Sequence, residues 1–227
     1  MARHEQECFA RALEVSPEKI RCWDLLSGPP GPEDLERGEH LLVGGSGAFS
    51  TLDEHPWIGS FFDFLSNVVI AEKIPTFASC FGFQSIVRAG GGNVVKDPTR
   101  AEVGTFSIAL EPASITDPLF SALGAHFPAQ LGHKDHATNL PAGCIHLARS
   151  ERSPFQALRI QGTQIVGTQF HPELDREANL YRYQNYRAAY AGSSADNDDE
   201  VSAGLRESPE ATALLPRWAA AVASESL

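Results

Sequence analysis

Two segments about ninety residues apart carry residue types suited to nucleophilic acyl chemistry. In Pro75-Thr76-Phe77-Ala78-Ser79-Cys80-Phe81-Gly82-Phe83-Gln84, a thiol is flanked two positions away on each side by a small residue. In Gly167-Thr168-Gln169-Phe170-His171-Pro172-Glu173, an imidazole and a carboxylate stand two residues apart. A thiolate can attack an acyl carbon. An imidazole can take and return the proton, and a carboxylate can fix which ring nitrogen carries it.

The elements that must position these groups are legible. Ile74 to Ser79 is a short, mostly apolar run entered by a proline and reads as a buried strand. Phe81 to Ala89 reads as a helix, with apolar Phe83, Ile86, Val87 and Ala89. A nucleophile at such a junction sits on a tight turn, where strand and helix backbones nearly touch, and Ala78 and Gly82 supply the small neighbours this requires. The helix N-terminus favours a thiolate, and the Phe81 N–H faces an oxyanion formed beside the sulfur. Gln164 to Phe170 reads as a strand, and Pro172 biases His171 toward an extended conformation. Residues two apart on an extended chain project to one side, so Glu173 can accept from one imidazole nitrogen while the other serves Cys80. Taken alone, Cys80 reads better as a small buried apolar residue, as most free cysteines are, and His171 with Glu173 can be read as a surface pair at a strand exit. Their joint presence favours the chemistry.

The order Cys, then a distant Phe170-His171-Pro172-Glu173, resembles the class I glutamine amidotransferases. The usual elbow of that family reads Gly-x-Cys-x-Gly-His-Gln. This chain matches its Cys, Gly82 and Gln84, and all of Phe170 to Glu173. Leu41-Leu42-Val43-Gly44-Gly45-Ser46 resembles the family's strand and oxyanion loop. Gly90-Gly91-Gly92, Glu102-x-Gly104, Asp117-Pro118-Leu119-Phe120, His133-x-Asp135 and Leu140-Pro141 fit as well, and the spacing is most similar to the stand-alone branch resembling the glutaminase domain of GMP synthase. The resemblance implies Cys80, His171 and Glu173 as catalytic residues, and Gly45 with Phe81 as oxyanion donors. It also implies Gln84, Gly44, Gly132, His133 and Asp135 as substrate-binding residues. The substrate is then glutamine or another γ-glutamyl compound, with no cofactor and no metal. Ala78 departs from the elbow glycine and Phe83 from the usual histidine. Lys134 stands where a glycine is common, which bears on glutamine specificity. The family opens with an apolar strand, whereas Met1 here falls almost on the helix that His4 to Leu13 resembles, so that strand is expected to be missing or replaced.

The fold class expected is α/β: a mostly parallel central sheet with helices on both faces, flavodoxin-like and of class I glutamine amidotransferase type, plus a few antiparallel strands. Strands are expected at Ile20–Leu26, Leu41–Gly44, Thr105–Leu110, Gly143–Ala148, Phe155–Ile160 and Gln164–Phe170, the last three as antiparallel neighbours. Helices are expected over Trp57–Ala71, Ala178–Ala191 and Pro209–Ala223, the last burying Leu214, Leu215 and Trp218. Residues 1–191 read as one domain, 192–208 as an acidic mobile loop, and 209–227 as a helix packing on the same domain.

Composition bounds the rest. The 227 residues are 42% hydrophobic and 21% charged, the mix of a soluble globular protein. A net charge of −11 argues against nucleic acid as a partner. No apolar stretch is long enough to span a bilayer, and the polar N-terminus reads as having no signal-peptide core. The scattered Cys8, Cys22, Cys80 and Cys144 read as reduced thiols of a cytoplasmic protein. Gly44-Gly45-Ser46-Gly47 lacks the Gly-Lys-Ser/Thr ending of a phosphate loop, and His133, Asp135 and His136 make a weak metal set. No synthetase domain or ATP motif is visible. Three readings therefore stay open: a glutaminase serving a separate synthetase, a stand-alone γ-glutamyl hydrolase or transferase, and a non-catalytic scaffold.

Overall fold

The computed structural model describes residues 2–35, 38–190 and 198–224. Seven strands form one sheet: β1 (Leu41–Val43), β2 (Thr76–Ser79), β4 (Glu102–Leu110), β5 (His126–His133), β7 (Cys144–Arg149), β8 (Ala157–Ile160) and β9 (Ile165–Thr168). Their order across the sheet is β1-β2-β9-β8-β7-β4-β5. A separate antiparallel ribbon joins β3 (Asn93–Lys96) to β6 (Asp135–Asn139).

The expectation of a mostly parallel, flavodoxin-like sheet is overturned. Only β1 with β2 and β2 with β9 run parallel, whereas β9–β8, β8–β7, β7–β4 and β4–β5 are antiparallel. The sheet is mixed and largely antiparallel. The cause lies in the connections. A parallel pair needs a long crossover, usually a helix. Residues 161–164 are the whole link from β8 to β9, with Gly162 at φ 71° in the turn. Between β4 and β9 the connections carry short 3-10 turns and no α-helix.

Ile20–Leu26 is not a strand: 3-10 turns at Pro17–Lys19 and Leu25–Ser27 bracket it, the second capped by the Asp24 side chain. The expected helix over Trp57–Ala71 is α2 (Pro56–Phe64) running into a π-helical turn (Leu65–Ile70). The elbow helix is α3 (Phe81–Ala89), and α1 is Ala2–Ala12. After β9, α4 (Arg176–Tyr186) starts where the Asp175 carboxylate accepts the Ala178 N–H. A 3-10 turn then reaches Tyr190. Of the 192–208 segment, residues 192–197 lie outside the described residues, and Asp198–Gly204 forms α5. The expected last helix is split into α6 (Pro209–Thr212) and α7 (Leu214–Ala223), with Leu214, Leu215 and Trp218 buried.

Strand alternation assigns side chains to two cores. Phe77 and Val166 join Ile108, Phe127, Leu131, Phe170, Leu214 and Trp218 on one face. Ala78 and Ile165 join Phe61, Leu65, Phe83, Ile86 and Leu158 on the other. Trp218 stands edge-on to Phe77 at 5.7 Å and donates its indole N–H to Gln164 O.

The tightest constraint is at the elbow, where a Cβ on Gly82 would lie 2.3 Å from the Val43 carbonyl oxygen. That neighbour is backbone and cannot rotate away. Gly82→Ala is expected to destabilise the fold by about 1–3 kcal/mol, as overpacking does. A lowered urea midpoint at unchanged slope checks this.

Candidate active site

Cys80 occupies the junction of β2 and α3 with φ 50° and ψ −101°. A non-glycine residue held there stores strain of about 1–3 kcal/mol, which its surroundings must offset. Three backbone bonds do so. The Cys80 N–H donates to Thr168 O at 2.8 Å, the Gly82 N–H to Gly44 O at 3.2 Å, and the Gln84 N–H to Cys80 O at 3.0 Å. Phe81 is the first residue of α3, so its N–H has no intrahelical acceptor.

His171 follows β9, and its N–H donates to Gln130 O of β5 at 2.8 Å. Its Nδ1 lies 2.6 Å from Glu173 Oε1, which places the Nδ1 proton toward the carboxylate and leaves the other nitrogen free for Cys80. Both side chains are buried. Burial alone would push His171 down. The Glu173 carboxylate, and then the Cys80 side chain as charge and hydrogen-bond partner, outweigh it and raise His171 to about 10. Burial would push Glu173 up, but the His171 charge and hydrogen bond, and then Arg182, hold it below the usual carboxylate range.

Cys80 and His171 share one small cavity of about 30 Å³, lined also by Gly47, Gly132, Arg182, Tyr186 and Tyr190. A larger cavity of about 170 Å³, lined by Asp117, Arg159 and Thr163, contains no thiol or imidazole. It adjoins the turn after β8, away from the Ala157 end that pairs with Thr168 beside Cys80. The thiol and imidazole expected to react lie in the smaller one.

The glycine loop after β1 comes close to His171. A Cβ on Gly45 would sit 2.6 Å from His171 Cε1. The Gly45 N–H donates to Glu5 Oε1 at 2.9 Å. The side chains expected to bind substrate are engaged internally. Gln84 Nε2 donates to Asp135 O at 2.8 Å and to Gln169 Oε1 at 3.0 Å. His133 Nε2 lies 3.0 Å from Glu102 Oε2 and its Nδ1 2.9 Å from Asp135 O. Asp135 accepts from the Ser50 hydroxyl at 2.5 Å. Gly132 reaches the cavity, and its carbonyl accepts the Tyr190 hydroxyl at 2.9 Å. Lys134 donates to Ala189 O at 2.5 Å, tying down the turn that carries Tyr190. Phe83, in place of the family's histidine, is fully buried in the core and lies against Gly167.

Sequence reasoning missed Glu5, Arg182, Tyr186 and Tyr190. Tyr183, Tyr186 and Tyr190 fall at helical spacing, but nothing local says that they line a cavity with a distant thiol.

Residues 33–183 match the family described as Glutamine amidotransferase class-I. The chain is 38% identical over 111 residues to the GMP synthase (glutamine-hydrolyzing) of Thermosipho melanesiensis, which covers 49% of this chain and 21% of that protein. It is 26% identical over 163 residues to a GMP synthase (glutamine-hydrolyzing) subunit of Sulfurisphaera tokodaii, covering 71% of this chain and 82% of that one. The fold superimposes on a glutamine amidotransferase from Thermotoga maritima with a TM-score of 0.68 at 18% identity, across 95% of this chain and 90% of that one. The matched stretch thus spans about a fifth of the length of that synthase. On the family match over residues 33–183, the chain belongs to the class-I glutamine amidotransferases.

Proposed function

We propose that the chain hydrolyses a γ-glutamyl amide through a thioester on Cys80, with glutamine as substrate and ammonia passing to a separate synthetase. The observation that carries this reading is Cys80 at the N-terminus of α3, in one cavity with an imidazole that Glu173 holds at 2.6 Å. The Cys80 sulfur attacks the amide carbon. The N–H groups of Phe81 and Gly45 receive the oxyanion. His171, kept protonated near neutrality by its raised pKa, gives its proton to the leaving nitrogen, and ammonia departs. Neutral His171 then takes a proton from water, whose oxygen attacks the thioester. Collapse of the second tetrahedral intermediate expels the Cys80 thiolate, and glutamate leaves. Glu173 fixes the tautomer and stabilises the imidazolium. The match to a relative that is itself one part of a synthase supports a synthetase on a separate chain.

One observation favours a self-sufficient γ-glutamyl hydrolase instead. The His133–Asp135 loop is tied to Glu102, Ser50 and Ala189 rather than open to the cavity.

The purified chain should release ammonia and glutamate from glutamine, and Cys80→Ala should abolish both. Release from a γ-glutamyl dipeptide alone favours the hydrolase. Cys80-independent release, or release from neither substrate in the presence of a synthetase, rejects the thioester reading. Glu173→Gln should cost less activity than Cys80→Ala. It should also change the pH dependence of stability. The folded pKa of His171 lies above its ordinary 6.5, so its stabilising contribution is complete below that pH and is lost as pH rises through about 10. Glu173→Gln should shrink this alkaline loss, seen as a flatter unfolding free energy from about pH 7 to about 10. It should also lower the His171 midpoint in an NMR titration.

A further inference from the structure

Four charged or ionisable side chains form a line beside the cavity. Arg182 Nη2 lies 2.8 Å from Glu5 Oε1, and Arg182 Nη1 lies 3.5 Å from Glu173 Oε1 and 3.3 Å from His171 Nδ1. The Glu5 oxygen that meets Arg182 also accepts the Gly45 N–H at 2.9 Å. Arg182 is nearly buried, and the carboxylates of Glu5 and Glu173, which outweigh burial, keep it firmly protonated.

We propose that Glu5 and Arg182 form a latch on the catalytic centre. Arg182 is a positioning residue that holds Glu173 against His171. Glu5, held by the same guanidinium, occupies the Gly45 N–H that the oxyanion requires. The proposal rests on the reading of Gly45 as an oxyanion donor. An N–H has one hydrogen, so a carboxylate at 2.9 Å competes directly with a developing oxyanion for it. A carboxylate is the stronger acceptor in the resting state because its charge is already formed.

Glu5 lies in the first turns of α1, where Ala2 and Arg3 are exposed. The buried residues of that helix, Cys8, Phe9, Ala10 and Ala12, begin one turn later. Gln6 Nε2 fastens the first turns to the carbonyls of Pro17 and Ile20 at 3.0 and 2.8 Å, so opening is a rotation of the Glu5 side chain away from Gly45 with the helix in place.

The two partners of this ion pair therefore have opposite effects. Glu5→Ala should raise kcat for glutamine hydrolysis on the order of ten-fold, since one oxyanion donor is worth about a hundred- to a thousand-fold and the latch is not closed all the time. Arg182→Gln should lower kcat, with KM nearly unchanged, and Arg182→Lys should restore part of it. A pair that only stabilises the fold would lower activity in both variants, and that result overturns the latch. Amide exchange at Gly45 gives a readout independent of turnover. Glu5→Ala should speed exchange of the Gly45 amide at least ten-fold relative to neighbouring Phe49, whose N–H is held by Ser46 Oγ. Unchanged exchange overturns the latch even if the protein hydrolyses glutamine. Absence of Cys80-dependent hydrolysis with faster Gly45 exchange in Glu5→Ala leaves the contact standing and rejects the functional reading instead.

Discussion

The close passage of α3 over β1 at Gly82 is the contact on which the site depends. The strained Cys80 backbone is tolerable only because the residues around it are fixed from three sides, by Thr168, Gly44 and the first turn of α3. The parallel alignment of β1, β2 and β9 makes this possible. Strand ends that point the same way bring the thiol, the glycine loop and the approach to His171 to one edge. The antiparallel strands beyond β9 serve a different purpose. They are the wall from which β5 presents the Gln130 carbonyl to His171.

The protein buries many polar side chains that pair with one another, although single atoms of Glu102, Asp135, Glu173 and Arg182 find no hydrogen-bond partner among the described residues. Glu102 takes bonds from both His133 and Gln156. Arg159 meets Asp117 in a two-pronged contact at 2.7 and 3.0 Å, and the same carboxylate caps Leu119 and Phe120. Leaving any one partner unpaired would cost more than the pair contributes, so such groups tend to act as a set. Several residues that resemble family signatures, Glu102 and Asp117 among them, thus fix loops and strand ends, not substrate.

Local chemistry is legible in the sequence, and long-range geometry is not. The elbow is apparent because Gly82 and Ala78 must be small wherever a nucleophile stands on such a turn. The two-residue spacing of His171 and Glu173 is enough to set them on one side. The directions of the strands escape such reasoning because short apolar runs look alike in parallel and antiparallel sheets. The absence of helical periodicity between residues 102 and 168 is the available signal, since parallel strands need room for a crossover. His133 and Asp135, expected in a loop, end β5 and begin β6, and pair with groups far off in sequence. Glu5 and Arg182, 177 positions apart, meet only because α1 and α4 pack beside one another.

The carboxyl-terminal segment has a bearing on the site that its distance in sequence conceals. The Gln130 side chain donates to Arg206 O at 2.7 Å and to the Ser208 hydroxyl at 3.0 Å, while the backbone carbonyl of the same residue carries His171. Trp218, farther along, leans on Phe77 within β2, three residues before the thiol. One stretch of chain therefore grips both halves of the candidate site, the strand that leads to Cys80 and the strand that holds His171. It works as a brace, so that wear at the far end of the molecule would register as misalignment between sulfur and imidazole rather than as the loss of either.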